Sequence, residues 1–280
     1  MDRVLESDSL RASVSKTGSV LVPTMGALHE GHLTLVRLGK SEALRRDCKL
    51  VVSIFVNPDQ FNDPADLQRY PRPIERDLGL LEAEGVDIAF TPAVEDVYPD
   101  DQPDAAPQPA VPEVGRLPGL EDAFRPGHFQ GVCRVVSRLF DLCQPVAAVF
   151  GEKDWQQTRV VAAMCRQQAR MTEILVGPTV READGLAMSS RNQHLGPEQR
   201  EHAGALWRSF QEAIKETDRA VAESRMRRVL TDAGFAVEYA TIRDAETLMP
   251  PKDPTDRPLR MLAAGVVGGV RLLDNAPWRA

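Results

Sequence analysis

"SVLVPTMGALHEGHLTLVRLGKSEALRR", residues 19–46, decides the fold. Ser19 to Val22 form a short apolar run that ends at Pro23, the pattern of a buried strand. Gly26 and Gly31 punctuate the turn that follows, and Leu33, Val36, Leu38 and Leu44 then keep an approximate helical period. Strand, glycine turn and helix in succession is a nucleotide-binding layout. Yet the stretch holds neither GxGxxG nor GxxxxGK[ST]. In their place stand His29 and His32, three apart at the predicted helix start and therefore on one face of it.

The same alternation continues downstream. "KLVVSIFVN", 49–57, is a continuous β-branched run like a central parallel strand. "PIERDLGLLEAEG", 73–85, reads as a helix stopped by Gly85, and "VDIAFTP" as the next strand. "GVCRVVSRLFDLCQ" (131–144) and "DWQQTRVVAAMCRQQ" (154–168) read as helices that bracket a strand at "VAAVFG" (146–151), and "TEILVGPTV" (172–180) closes the series. The expected fold is α/β: a Rossmann-like doubly wound parallel sheet over residues 1–179, with right-handed crossovers. From 180 to 280 the pattern changes to two helices (197–217 and 218–234), a strand at "FAVEYATIRD" and a hairpin in "RMLAAGVVGGVRLLDN", which predicts a smaller α+β C-terminal domain. Residues 100–118 carry Pro103, Pro107, Pro109, Pro112 and Pro118 and read as an irregular surface excursion.

Composition sets the class. The chain has 280 residues, 42% hydrophobic and 27% charged, with a formal net charge of -7. An acidic chain of this kind is not built for non-specific nucleic-acid or anionic-membrane binding. Cys48, Cys133, Cys143 and Cys165 form no CxxC pair, so reduced thiols and a cytoplasmic location are expected. "MDRVLESDSLRAS" lacks the apolar core of a signal peptide, and the apolar runs are too short to span a bilayer.

Ligands of open α/β sheets bind outside the carboxyl ends of the strands. Those ends deliver Thr24, Met25, Gly26, His29 and His32; Asn57, Asp59 and Gln60; Gly151, Glu152, Lys153, Asp154, Gln156 and Gln157; and Arg181 followed by "MSSRN", 188–192. Imidazoles at a helix N-terminus can donate to phosphate oxygens. The plainer alternative is a pair of capping or packing histidines. A zinc site would want a supporting Glu or Cys that this HxxH lacks. Ser189, Ser190 and Arg191 suit a phosphate, or an ordinary serine-rich turn. Lys153 beside Asp154 is a phosphate cation or an exposed ion pair. Gln60 and Gln157 are neutral bidentate groups suited to hydroxyls and carboxylates.

HxGH at a helix start with a serine-rich partner loop resembles the signature pair of the nucleotidyltransferases related to class I aminoacyl-tRNA synthetases. "PTMGALHEGH", "SIFVNPDQF", "DLQRYPR", "RPGHFQGV", "VFGEKDWQQ" and "MSSRN", in that order, are similar to the pantothenate synthetase family over about residues 18–276. The resemblance implies ATP-dependent condensation of (R)-pantoate with β-alanine to give pantothenate, AMP and pyrophosphate through a pantoyl adenylate, with Mg2+ on the nucleotide. It also implies a cytoplasmic homodimer with a C-terminal lid. Carried over residue by residue, ATP binding falls on Met25, Gly26, Ala27, Leu28, His29, Glu30, Gly31 and His32, on Gly151, Glu152, Lys153 and Asp154, on Val180, and on Met188, Ser189, Ser190 and Arg191. His32, with His29, Lys153 and Arg191, takes the catalytic role; Gln60, Gln157, Asn57 and Phe150 hold pantoate; Gln60, Tyr70 and Arg125 meet β-alanine; Asp77 is a loose candidate metal ligand. Asp59, Asp122 and Trp155 depart from the family pattern. A nucleotidyltransferase that stops at adenylyl or cytidylyl transfer would share HxGH without needing Gln60 and Gln157. A non-catalytic nucleotide sensor would not need the full set of histidines and cations.

Overall fold

Six parallel strands bury the apolar runs: β1 (Asp2–Val4), β2 (Ser19–Thr24), β3 (Lys49–Ile54), β4 (Ile88–Phe90), β5 (Pro145–Gly151) and β6 (Glu173–Gly177), in the order β1-β4-β3-β2-β5-β6. The computed structural model describes residues 1–15, 17–61, 64–99, 108–252 and 257–278. β2 and β3 pair in unbroken register from Ser19↔Lys49 to Thr24↔Ile54. Such continuous apolar strands are stable only where both faces of the sheet are covered. Val20, Val22, Leu50, Val52 and Val149 point to one face, against Val36, Leu78 and Leu81 of helices Glu30–Arg46 and Ile74–Ala83. Leu21, Val51, Ala148 and Phe150 point to the other, against helices Ser7–Val14, His128–Cys143 and Trp155–Gln167. The period of two thus splits each strand between two cores. From β2 the chain winds outward to β3 and β4, then returns to β5 and β6 on the other side of β2. The carboxyl ends of β2 and β5 flank that reversal, which is where a doubly wound sheet opens a crevice.

β7 (Ala236–Asp244), β8 (Leu259–Val267) and β9 (Val270–Trp278) form an antiparallel sheet in that order. Gly268 and Gly269, with φ of 55° and 77°, make the two-residue turn of the predicted hairpin. Leu206, Phe210, Met226 and Leu230 of helices Ala205–Ala213 and Arg219–Asp232 cover one face of this sheet. The other face turns Tyr239, Leu262 and Leu273 onto Leu120 and Trp155 of the α/β part, so the two parts share an apolar seam.

Three differences from the sequence expectation bear on the fold. β1, a three-residue edge strand, was not anticipated, because so short a segment carries no period. The helix expected over 197–217 breaks at Gly204 into Pro197–Ala203 and Ala205–Ala213. The proline-rich segment is not simply a surface excursion: Pro112, Gly115 and Pro118 are buried, and Val111 and Val114 pack on the core, while residues 100–107 lie outside the described residues. Among the described residues no helix is long and apolar enough to cross a membrane.

Candidate active site

The turn after β2 is built around a buried carboxylate. Gly26 and Ala27 adopt positive φ, 80° and 50°. Their strained turn is held because Ala27 N–H and Leu28 N–H donate to Asp77 Oδ2 and Oδ1 at 2.7 and 2.9 Å. A Cβ on Gly26 would lie 3.1 Å from Asp77 Oδ2. Asp77 is only 1% exposed and does not line the cleft. Its expected place as a metal ligand is therefore corrected: both oxygens hold the turn. Gly26, Ala27, Leu28 and Glu30, read as ATP contacts, likewise lie outside the cleft lining, whereas Met25, His29, Gly31 and His32 form part of it.

His29 precedes helix Glu30–Arg46, and His32 lies in its first turn. The His29 backbone N–H donates to His32 Nδ1 at 3.3 Å, and the two rings are 4.0 Å apart. The capping reading is thus part of the arrangement. A neutral ring that accepts at Nδ1 carries its proton on Nε2, leaving that N–H free to donate. Burial first, then the neighbouring His29 and Lys153, hold the His32 pKa down at about 3; burial and Lys153 hold His29 at about 4. Both rings are neutral at pH 7. His29 Nδ1 is buried with no hydrogen-bond partner among the described residues. A Cβ on Gly31 would press to 2.9 Å from the His29 ring, so the glycine makes room for it.

The turn after β3 sits directly on helix His128–Cys143. Asn57 is buried: its Nδ2 donates to Gln60 Oε1 (3.1 Å) and Gly131 O (3.2 Å), and its Oδ1 accepts from Tyr98 OH (3.0 Å). Gln60 Nε2 reaches Met25 Sδ, and the Gln60 carbonyl accepts from Arg125 Nη2 and His128 Nδ1 at 3.3 and 3.2 Å. Arg125 is set in turn by Glu121 (3.4 Å) and His128 Nε2 (3.1 Å). Glu121 is buried between Arg271 and Tyr239, at 2.6 and 2.7 Å.

β5 ends in Phe150 and Gly151, and the following turn places Lys153, Asp154, Trp155 and Gln157 along the cleft. Neighbouring Gln156 also borders the cleft, but its amide is clamped by Glu121 N–H, Val114 O and Asp122 Oδ1. Glu152 lies outside the lining and pairs with Arg260 at 2.5 Å. Val180, Met188, Ser189, Ser190 and Arg191 form the far wall, where Met188 N–H donates to Val180 O at 2.9 Å. Tyr70 OH meets Ser190 Oγ at 3.3 Å, and Arg191 pairs with Asp66 at 3.1 Å. Fourteen catalytic or binding residues singled out from the sequence come together here: Met25, His29, Gly31, His32, Asn57, Gln60, Tyr70, Arg125, Phe150, Gly151, Lys153, Asp154, Gln157 and Val180, with the 188–191 segment opposite.

The three departures from the family pattern have local explanations. Asp59 turns to Arg134 and away from the cleft. Asp122 caps the turn before helix Glu121–Phe124 by accepting from Gly119 N–H and Leu120 N–H. Trp155 is stacked on by the guanidinium groups of Arg159 and Arg260 and donates to Ala245 O at 2.8 Å. Glu121, His128, Tyr239, Leu273, Asp274 and Asn275 also line the cleft and were not singled out. His128 lay inside a quoted motif. Asp274 and Asn275 could have been noticed as polar residues in an otherwise apolar strand.

Comparison with known proteins agrees on one family. The model described as pantoate-beta-alanine ligase matches residues 3–277. The pantothenate synthetase of Rubrobacter xylanophilus is 47% identical over 264 residues, 91% of this chain and 89% of its own. That of Rhodopseudomonas palustris (strain BisA53) is 47% identical over 272 residues, 96% and 93% of the two chains. The crystal structure of pantothenate synthetase from Thermus thermophilus superposes with a TM-score of 0.90 at 42% identity, covering 99% of both chains. The pantoate-beta-alanine ligase of Francisella tularensis, complexed with beta-gamma ATP and beta-alanine, gives 0.78 at 32% identity over 99% and 97%.

Proposed function

The chain belongs to the pantoate-beta-alanine ligase family, and on that premise we propose that its cleft joins pantoate to β-alanine in two steps through a bound pantoyl adenylate. The observation that carries this reading is the convergence of His29, His32, Lys153 and Arg191 with Gln60 and Gln157 on one cleft. In the first step a pantoate carboxylate oxygen attacks the α-phosphorus of ATP. A new O–P bond forms, the α–β bridge breaks, and pyrophosphate leaves. In the second the β-alanine nitrogen attacks the acyl carbon, the bond to phosphate breaks, AMP departs and the nitrogen loses a proton. No covalent enzyme intermediate is needed, so the protein acts by positioning and by stabilising charge.

The geometry supports the following roles. His32, neutral, donates from Nε2 rather than acting as a cation. Lys153 supplies the cationic charge beside it, and Arg191 adds a second charge once it leaves Asp66. Gln60 holds the carboxylate and hydroxyls of pantoate with its amide already oriented by Asn57, and Gln157 completes that hold; no hydrogen bond to a described residue ties its amide elsewhere. Asn57 and Phe150 shape the pantoate pocket. Tyr70 and Arg125 steer β-alanine. Met25, Val180 and the 188–191 segment enclose ATP. Mg2+ would be held chiefly by phosphate oxygens, neutralising their charge. Asp154, whose ion pair is a long one to Lys153 at 3.5 Å, is the cleft carboxylate most able to turn to it, since Glu121 and Asp274 are tied to arginines. Residues 180–280 act as a lid over this cleft, and their closure would shield the acyl adenylate from water. The same reading makes the chain a cytoplasmic homodimer; four unpaired thiols, three of them buried, suit a reducing compartment.

The test is AMP formation from pantoate, β-alanine and Mg-ATP. Multiple-turnover AMP release that requires both pantoate and β-alanine is the expected result. Release without the amine would count against ligation and for simple nucleotidyl transfer.

A further inference from the structure

β9 carries an acid–amide pair, Asp274–Asn275, 3% and 4% exposed, between apolar Leu273 and Ala276. Buried polar groups need partners, and Asn275 finds two of its own in the α/β part of the molecule. Asn275 Nδ2 donates to the carbonyls of Glu152 (2.9 Å) and Lys153 (2.8 Å), while its Oδ1 accepts from Arg260 Nη1 (2.7 Å). Arg260, on β8, continues to Glu152 Oε1 at 2.5 Å and stacks on Trp155 with its guanidinium 3.6 Å from the ring centroid. The turn Glu152–Asp154 is therefore gripped at two of its carbonyls and at the Glu152 side chain by the C-terminal hairpin. Lys153 projects from the middle of that grip into the cleft. Asp274 meanwhile holds Arg181 through both its oxygens, at 2.6 and 3.1 Å, at the start of the segment that leads to Met188–Arg191.

Resting on the function proposed above, we propose that Asn275, held by Arg260, is the positioning residue for Lys153. A lysine has four flexible methylenes, so the aim of its ammonium depends on a fixed Cα. The 3-10 turn that bears Lys153 is only three residues long, Glu152–Asp154, and the Asn275 amide fixes two of its carbonyls. The effect belongs to adenylation, in which pyrophosphate charge develops beside Lys153, more than to amide formation at the acyl carbon.

Two half-reactions separate this role from general support of the fold. Pantoate-dependent pyrophosphate–ATP exchange reads adenylation. Transfer to added β-alanine, after slow loading of the enzyme with adenylate in the presence of pyrophosphatase, reads the second step. Asn275→Ala and the isosteric Asn275→Asp should each slow exchange about 10- to 100-fold, the scale of a misplaced reacting group, with transfer changed by less than about 3-fold. Arg260→Lys keeps the charge but cannot bridge Asn275 and Glu152 together, and should show the same asymmetry at smaller size. In a Lys153→Ala background, Asn275→Ala should cost less than about 3-fold more in exchange, because groups that act as a unit are not additive. Equal slowing of both half-reactions, or full additivity with Lys153→Ala, overturns the proposal. Absence of exchange in the unaltered chain would overturn the function reading itself and is seen before any variant is compared.

Discussion

The role proposed for His32 rests on its being a weak base. Its Nδ1 is occupied by the His29 backbone N–H and its pKa is held near 3, so it is a fixed neutral donor. His32→Ala should lower kcat roughly 100- to 1000-fold, the usual loss for one preorganised donor, with little change in unfolding temperature. A near-native rate would remove it from the mechanism. The same burial has a consequence for stability. His29, His32 and His128 titrate at about 4, 3 and 3 in the folded chain, against an ordinary 6.5, with burial the first cause in each. Between those values and 6.5 the unfolded chain binds more protons than the folded one. Stability is therefore complete above pH 6.5 and falls as pH drops through the window, by up to about 1.4 kcal/mol per pH unit for each ring. Urea denaturation from pH 7 to 4 checks this: the midpoint should fall, and His128→Gln should flatten the fall. A midpoint unchanged between pH 7 and 5 would contradict neutral buried rings.

At the scale of elements, the site depends on one helix lying against one turn. A Cβ on Gly131 would meet the Asp59 carbonyl oxygen at 2.3 Å and the Gln60 nitrogen at 2.9 Å, backbone atoms that cannot swing aside. Gly131→Ala should cost about 1–3 kcal/mol, as overpacking does. It should also raise KM for pantoate through the displaced Gln60, while KM for ATP holds. A KM for ATP that rises as much as that for pantoate would show the helix shift spreading across the site. This contact also marks the limit of what the sequence reveals. The apolar runs at 19–22, 49–57 and 146–151 announced parallel strands, and polar residues just past each led to His32, Gln60 and Lys153. Asp77, Gly131 and Asn275 act from other elements, and only tertiary packing brings them to the turns they hold. Three residues of β1 were too few to show a period.

Across the whole molecule, charge ties the C-terminal sheet to the crevice. Arg271 binds Glu121 and Glu238, each at 2.6 Å, and Glu121 reaches on to Arg125. Arg271→Ala would leave a carboxylate whose side chain is 7% exposed with only Tyr239 and the more distant Arg125 as partners among the described residues. The cost should be roughly 2–4 kcal/mol, the lower part of the range for a broken buried pair because Arg271 keeps some solvent. Thermal unfolding measures the cost, and KM for β-alanine reads the loosening of Arg125. A variant as stable as the parent would show that water satisfies Glu121.

The strand order has a consequence in time. β2 lies at the centre of the sheet, yet its partner on one side begins at Pro145, far along the chain from Ser19. During synthesis β2 and β3 can pair early, while the other edge of β2, an apolar strand with its amides and carbonyls unmet, waits until β5 has emerged. Such long-range parallel closures are slow and leave sticky edges open. Refolding of the chain should therefore pass through a populated intermediate in which residues 19–90 are protected from hydrogen exchange before residues 145–177 are, and its yield should fall as protein concentration rises.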